Sequence, residues 1–216
     1  MNTKSTTPKE QMLKKIRQAL LNKKENPSPT FESVPLYPQE EDSSLDMIFA
    51  KELMEAEGHF VYCESEISLI ENLILLIEKL NKTKILVLEK GLQKLLSTYS
   101  FPFSSNKDSL EETEIGITSC ECLIARHGSI LISSGNESGR SLSIYPPVHV
   151  VLAKASQLVL DVKDGLEMVK AKYKQHLPSM LSIVTGPSKS FSLENEGVVG
   201  ATGTKALYVF MIEDRF

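Results

Sequence analysis

With 216 residues, 41% hydrophobic and 24% charged, the chain has the composition of a water-soluble globular protein, long enough for one domain with a substantial core plus an appendage. A net charge of −4 gives no sign of the basic excess that marks nucleic-acid binding. The richest apolar run, Ile67 to Leu80, is interrupted by Glu71, Asn72, Glu78 and Lys79 and falls short of the ~20 residues needed to span a bilayer.

The opening Met1-Asn2-Thr3-Lys4 is polar with no hydrophobic segment behind it, so no secretory signal and a cytoplasmic location are expected. Three cysteines, Cys63, Cys120 and Cys122, suit a reducing compartment rather than a disulfide framework.

Residues 8–24 read as an amphipathic helix: Met12, Leu13, Ile16, Ala19 and Leu20 recur at spacings of three and four, with lysines and Arg17 around them. Such a helix serves either as a basic arm for a partner or membrane surface, or as an element docked on its own domain or on a second copy of the chain. Residues 25–42 hold Pro27, Pro29, Pro35 and Pro38 and read as an extended linker. The domain proper is expected over 43–216.

It begins with an N-cap signal, Asp42-Ser43-Ser44, and a helix stopped at Gly58. His59 to Cys63 reads as a strand, Ser65 to Lys79 as a helix, Lys84 to Leu88 as a strand and Lys90 to Tyr99 as a short helix. This alternation predicts βαβ units and a parallel sheet buried on both faces. Phe101 to Thr113 is polar and acidic, hence a loop. Ile115-Gly116-Ile117, Glu121 to Ala125 and Ser129 to Ser133 are short β-prone runs, the last two forming a hairpin that turns at His127-Gly128. Pro146-Pro147 leads into a strand at Val148 to Leu152. Asp161 to His176 reads as a helix, and Leu181 to Thr185 and Leu207 to Ile212 as strands.

Near the carboxyl end, Ile183-Val184-Thr185-Gly186-Pro187-Ser188-Lys189-Ser190 and its echo Val198-Val199-Gly200-Ala201-Thr202-Gly203-Thr204-Lys205 each run from an apolar strand to Gly, hydroxyls and Lys. Bare backbone and a cation at a strand end are what an anion approaches, although Gly-Pro-Ser is also an ordinary turn. Arg126 and Arg140 lie beside glycines among the central strands, where a guanidinium fork recognises a carboxylate or phosphate or makes a surface ion pair. His127 and Glu194 are the candidates for acid–base work, although each reads more readily as a solvated loop residue. Cys120-Glu121-Cys122 with His127 is the only metal-like cluster. On a strand both thiols would share a face, but a fourth ligand is lacking, so no metal is expected. His149, between Val148 and Val150, reads as a hydrogen-bonded core histidine. No nucleophile elbow, Walker loop or dinucleotide glycine fingerprint is present.

From about Ile115 to Glu213 the chain resembles the LUD domain of the lactate-utilisation protein C family. The runs that carry the resemblance are Leu123-Ile124-Ala125 before Gly128-Ser129-Ile130, Gly139-Arg140-Ser141-Leu142 before Pro146-Pro147-Val148-His149-Val150, and Ile183 to Ser190 with Glu194 and Gly200. Met12 to Leu20 is similar to the family's opening helix. The resemblance implies an α/β fold of three α/β/α layers around a mostly parallel sheet, like that of sugar-phosphate isomerases, CoA transferases and folate cyclo-ligases. It also implies a part in oxidising L-lactate to pyruvate beside iron–sulfur oxidoreductase subunits, with no cofactor in this chain and the clusters in those partners.

Two departures mark a divergent member. Ala125-Arg126-His127-Gly128 stands where the family has Ala-Glu-Thr-Gly, which inverts a local charge. Gly200-Ala201-Thr202-Gly203-Thr204 stands where it has Gly-Val-His-Gly-Pro. The expected site is a cleft binding a small anion, where Arg126, Gly128 and Arg140 meet Gly186, Ser188 and Lys189 and the second turn's Gly200, Gly203 and Lys205. A subunit with no catalysis of its own, or an isomerase or ligase acting on a sugar phosphate or folate, are the alternatives.

Overall fold

The computed structural model describes residues 7–21, 44–138, 140–191, 197–199 and 203–214. It divides into two units, 1–41 and 42–216. In the first, helix α1 (Pro8–Leu21) opens with a reciprocal cap: the Thr7 amide donates to Glu10 Oε2 at 2.9 Å, and the Glu10 amide returns a bond to Thr7 Oγ1 at 3.4 Å. Pro8 occupies the first helical position, where its missing N–H costs nothing. Met12, Leu13, Ile16 and Leu21 are exposed. The expected linker over 25–42 lies outside the described residues.

The second unit starts with α2 (Leu45–Glu55), which buries Phe49 and Leu53. Ser44 sits at its N-cap, but its side chain makes no capping bond. The helix ends just before Gly58, whose amide donates to Leu53 O at 2.9 Å. Glu57 takes the left-handed conformation (φ 63°), and Gly58 clears space for the Leu53 side chain.

Next come β1 (His59–Cys63), α3 (Glu66–Leu80), β2 (Ile85–Val87), α4 (Lys90–Thr98) and β3 (Ile115–Ser119). Ser65 caps α3 by accepting from the Ser68 amide at 3.2 Å, and Asn81 closes it in the left-handed region. The 101–113 stretch is more ordered than a plain loop: Ser104 bridges to Leu86, and a 3-10 turn covers 107–112.

β4 (Cys122–Ile124) and β5 (Ser129–Ser133) form the expected hairpin, with Gly128 left-handed at its turn. They are followed by β6 (Val148–Lys154), β7 (Leu158–Val159), α5 (Val162–Tyr173), β8 (Leu181–Val184), β9 (Lys189–Phe191), β10 (Gly197–Val199) and β11 (Ala206–Ile212). Five strands make a fully parallel sheet in the order β1-β11-β6-β3-β2, so the last of the described strands inserts beside the first. β4, β5, β7 and β8 form a second sheet, ordered β7-β4-β5-β8, and β9 and β10 pair as a small hairpin.

Alternation along the strands sets the layers. Ile115, Ile117, Val148 and Val150 face α3 and α4, against Leu69, Leu73 and Leu96. Val151, Ala153, Val209 and Met211 face the other way and meet α2 through Phe49 and Leu53 and the second sheet through Leu123 and Ile130. Cys122, Ile124 and Leu131, on the far face of that sheet, pack under α5 at Val169. The architecture is therefore α/β, with a parallel central sheet, helices on one face, and α2 with a second sheet backed by α5 on the other. The two thiols expected on one face are on opposite faces of the second sheet: the backbone turns at Glu121 before β4 begins, leaving Cys120 in the inner core and Cys122 in the outer.

Candidate functional site

The two glycine-bearing turns meet. The Ser188 amide donates to the Thr204 carbonyl at 2.9 Å, and the amides of Lys205 and Ala206 both donate to Pro147 O, at 2.8 and 3.1 Å. These contacts fix the pair of turns where β6 and β11 begin, at the amino edge of the central sheet. Lys189 Nζ lies 2.7 Å from Glu57 Oε1 at the end of α2. Met54, Glu57, His59, Phe60, Pro187 and Lys205 surround a depression of about 560 Å³. His59 stacks on Tyr208 with ring centroids 4.5 Å apart. Lys205 and Glu57 thus line the depression, and Lys189, paired to Glu57, adds a second ammonium group beside it, a pair of cations suited to a small anion.

The last turn of α2 forms a common wall with a second depression of about 570 Å³, lined by His127, Ser129 and Thr185 beside Glu52, Glu55 and Ala56. Ser129 Oγ and Thr185 Oγ1 share a 2.6 Å hydrogen bond across the β5–β8 edge. Gly128 and Gly186 lie against the α2 backbone: a β-carbon on Gly128 would overlap Leu53 N, and one on Gly186 would overlap Ala56 O.

The arginines are held elsewhere. Arg126 Nε bonds Asp161 Oδ2 at 3.0 Å, and its side chain is only 19% exposed. That carboxylate also caps α5. Arg140 Nη2 donates to Ser179 Oγ at 2.7 Å and lines neither depression. Of the residues singled out in the sequence, the fold brings Gly186, Ser188, Lys189, Gly203 and Lys205 together, with His127 and Gly128 across the end of α2. Gly200 and Glu194 lie outside the described residues. Glu57 and His59 gave no signal in the sequence, because nothing in their local spacing ties them to turns more than a hundred residues away.

A second polar system, also unread in the sequence, occupies the opposite edge of the sheet. Glu89 is buried after β2 and accepts from the Ser119 amide (2.9 Å), Ser119 Oγ (2.5 Å) and Ser138 Oγ. Glu121 is buried as well, accepting from Ser133 Oγ (2.5 Å), Tyr173 Oη (2.7 Å) and Lys172 Nζ (2.8 Å). Burial opposes its ionisation, but these donors outweigh that and hold the carboxyl below its ordinary value.

His149 is the core histidine expected: Thr118 Oγ1 lies 2.8 Å from Nε2, Nδ1 has no partner among the described residues, and burial lowers its pKa to about 4. Burial raises all three thiols, Cys122 to about 11, which leaves them poor nucleophiles. Among the described residues no group of three or more His, Cys, Asp or Glu could hold a metal ion, and no helix is long and apolar enough to cross a membrane.

Comparison with known proteins gives a consistent set of relatives. Lactate utilization protein C of Bacillus licheniformis is 33% identical over 113 residues, 51% of this chain and 47% of that protein. The Halalkalibacterium halodurans protein of that name is 32% identical over 110 residues, 50% and 48% of the two chains. The Bacillus subtilis one is 29% identical over 113 residues, 51% and 47%. The chain spans about half the length of these curated relatives in each match. A solved structure of a DUF162 family protein from Deinococcus radiodurans superposes with a TM-score of 0.59 at 17% identity, covering 79% of this chain and 99% of that one, and so shares the fold. The LUD domain model itself matches residues 9–212, and the chain therefore belongs to the LUD domain family.

Proposed function

We propose that this LUD domain protein serves in a lactate-utilisation system and binds a small anion, a carboxylate such as lactate or a phosphate, at the joined glycine turns. The family match across residues 9–212, together with relatives named Lactate utilization protein C, carries the system-level reading. The place of Lys205 on the depression, with Lys189 held beside it by Glu57, supports the ligand class. An arriving anion replaces Glu57 on Lys189 and takes its second contact from Lys205. Charge-assisted hydrogen bonds contribute ~1.5–3 kcal/mol each, so three or four reach the ~8 kcal/mol of a micromolar complex.

Calorimetric titration of the full chain with L-lactate, phosphate and a nucleotide tests the site. At least one is expected to bind micromolar to sub-millimolar and to lose tenfold or more in Lys189→Ala/Lys205→Ala. No binding by any of the three, or an affinity indifferent to both lysines, overturns it.

The exposed Met12, Leu13, Ile16 and Leu21 of α1 favour a second role, that of an assembly subunit docking iron–sulfur oxidoreductase partners that carry the redox centres. Removal of residues 1–40 is expected to abolish co-purification with such partners while the melting of the remaining domain is unchanged. Retained co-purification rules this role out.

A further inference from the structure

At the carboxyl edge of the central sheet, away from the glycine turns, the ends of β3, β6 and β11 enclose a cavity of about 300 Å³. Its walls are apolar: Leu69 from the first turn of α3, Leu92 and Leu95 from α4, and Leu152, Phe210 and Ile212 from the strands. Leu69, Leu152 and Phe210 are buried, so the inner end is dry core. The mouth is polar, formed by Ser119, Lys154, Gln157 and Lys172. In open α/β sheets, ligands collect outside the carboxyl ends of the strands, and this volume is at the small end of the range for ligand pockets.

Most hydrogen-bonding capacity at the mouth is already in use. Ser119 Oγ donates to Glu89 and accepts from Asn136 Nδ2 at 3.2 Å. Gln157 Nε2 donates to Cys120 O (2.7 Å) and Glu121 O (3.3 Å), while its Oε1 accepts from the Lys154 amide at 2.8 Å. The carboxylates behind the mouth are served as well: Glu89 and Glu121 by the donors described above, and Asp214 by the Ser156 amide at 2.7 Å.

The two ammonium groups remain. Each has three donors; Lys172 directs one to Glu121 at 2.8 Å, and Lys154 stands 3.9 Å from Asp214. Cationic donors over an apolar floor complement a carboxylate with an unbranched tail. A hydroxylated acid would bury its hydroxyl there with no partner.

We infer that this cavity binds a short-chain aliphatic monocarboxylate, its tail packed between α3, α4 and the sheet and its carboxylate against Lys154 and Lys172.

Titration of the Lys189→Ala/Lys205→Ala chain, in which the glycine turns no longer offer their ammonium groups, with acetate, butyrate, hexanoate and L-lactate tests the inference. Affinity is expected to rise about fourfold per methylene, the fold-change of ~0.8 kcal/mol per buried CH₂, until the cavity fills, with lactate no tighter than acetate. Leu92→Trp, at a half-buried position, fills the cavity and is expected to weaken hexanoate at least tenfold. Lys154→Met weakens hexanoate but not 1-hexanol. If the tryptophan variant does not fold, hexanoate-induced methyl shifts confined to Leu92, Leu95 and Leu152 in the unmodified chain stand in its place. Binding of hexanoate that persists in this background, which lacks both lysines of the glycine turns, separates the cavity from those turns whether or not they bind an anion. An affinity independent of chain length, hexanol binding as tightly as hexanoate, or hexanoate binding indifferent to Leu92→Trp overturns the inference.

Discussion

Gly186 seats its α-carbon against the carbonyl oxygen of Ala56, the C-cap residue of α2, with so little room that any β-carbon would overlap it. Its φ of +69° adds a second demand for glycine. The residue thus joins the Gly-Pro-Ser turn to the helix that forms the wall of both depressions. Gly186→Ala is expected to cost ~3 kcal/mol or more from strain and displacement of α2, a fall in melting temperature of roughly 6–12 °C for a chain of this size. Gly91 in α4 is the control, because a β-carbon there meets nothing within 4 Å. Gly91→Ala is expected to stabilise by ~0.5–1 kcal/mol. Thermal melts of the two variants check the pair; equal effects would refute the packing role of Gly186.

Lys172 and Glu121 make a prediction of opposite character. The carboxylate is buried and the ammonium is 55% exposed, so removing the lysine leaves a buried charge with two hydroxyl donors. Breaking a fully buried pair costs ~3–5 kcal/mol; partial exposure of Lys172 reduces the expectation for Lys172→Met to about 1–3 kcal/mol. Glu121 titrates below its ordinary value in the folded chain. Its contribution to stability is therefore full above the ordinary carboxylate range and is lost as pH falls through the lowered value. In Lys172→Met that loss begins at higher pH, and adding Glu121→Gln restores part of the stability. Urea denaturation between pH 4 and 7 measures all three effects.

The parallel sheet was legible because β1, α3, β2 and α4 follow one another with clean periodicity, and each element is a local pattern. The second sheet was not. Glu121 to Ala125 and Leu181 to Thr185 read as strands, but which sheet a strand joins depends on contacts such as Ile183 with Leu131, 52 residues apart in the chain. The candidate site divides in the same way. Glycine and lysine in the 186–189 and 203–205 turns could be read directly, whereas Arg126 and Arg140 could not be placed, because their partners Asp161 and Ser179 are distant in sequence. Gly128 and Gly186 show the commonest ambiguity: close backbone approach marks a glycine, and the approaching group is here a helix.

His149 gives the chain a pH response that stands apart from its carboxylates. Burial lowers its pKa to about 4 from an ordinary value near 6.5, so the folded protein keeps it neutral where the unfolded chain would protonate it. Stability is then level above the ordinary value, declines as pH falls between the two values, and levels again below about 4, where both states are charged. The slope reaches at most ~1.4 kcal/mol per pH unit for one proton. Among the described residues Thr118 is the only hydrogen-bond partner of its ring, so His149→Gln keeps an acceptor for that hydroxyl while removing the titration. Chemical denaturation at pH 7, 6 and 5 is expected to show a decline in the parent that the variant lacks. Parallel curves would assign the response to other groups.

Glu57 is the group against which any anion at the glycine turns competes. Its carboxylate meets Lys189 at 2.7 Å, yet the side chain is 62% exposed, and an ion pair so solvated contributes ~0–1 kcal/mol. Glu57→Gln keeps shape and left-handed backbone but withdraws the competing charge. Its melting temperature is therefore expected to stay within ~2 °C of the parent, since surface changes of this kind fall within about 0.5 kcal/mol. Affinity for the bound anion is expected to rise about two- to fivefold, the range covered by the lost ion pair. The gain should shrink as salt rises from 0.05 to 0.5 M, because exposed charges are screened over about a Debye length. Calorimetry at both salt concentrations measures it. An affinity in Glu57→Gln equal to or below the parent's would place the anion somewhere other than Lys189.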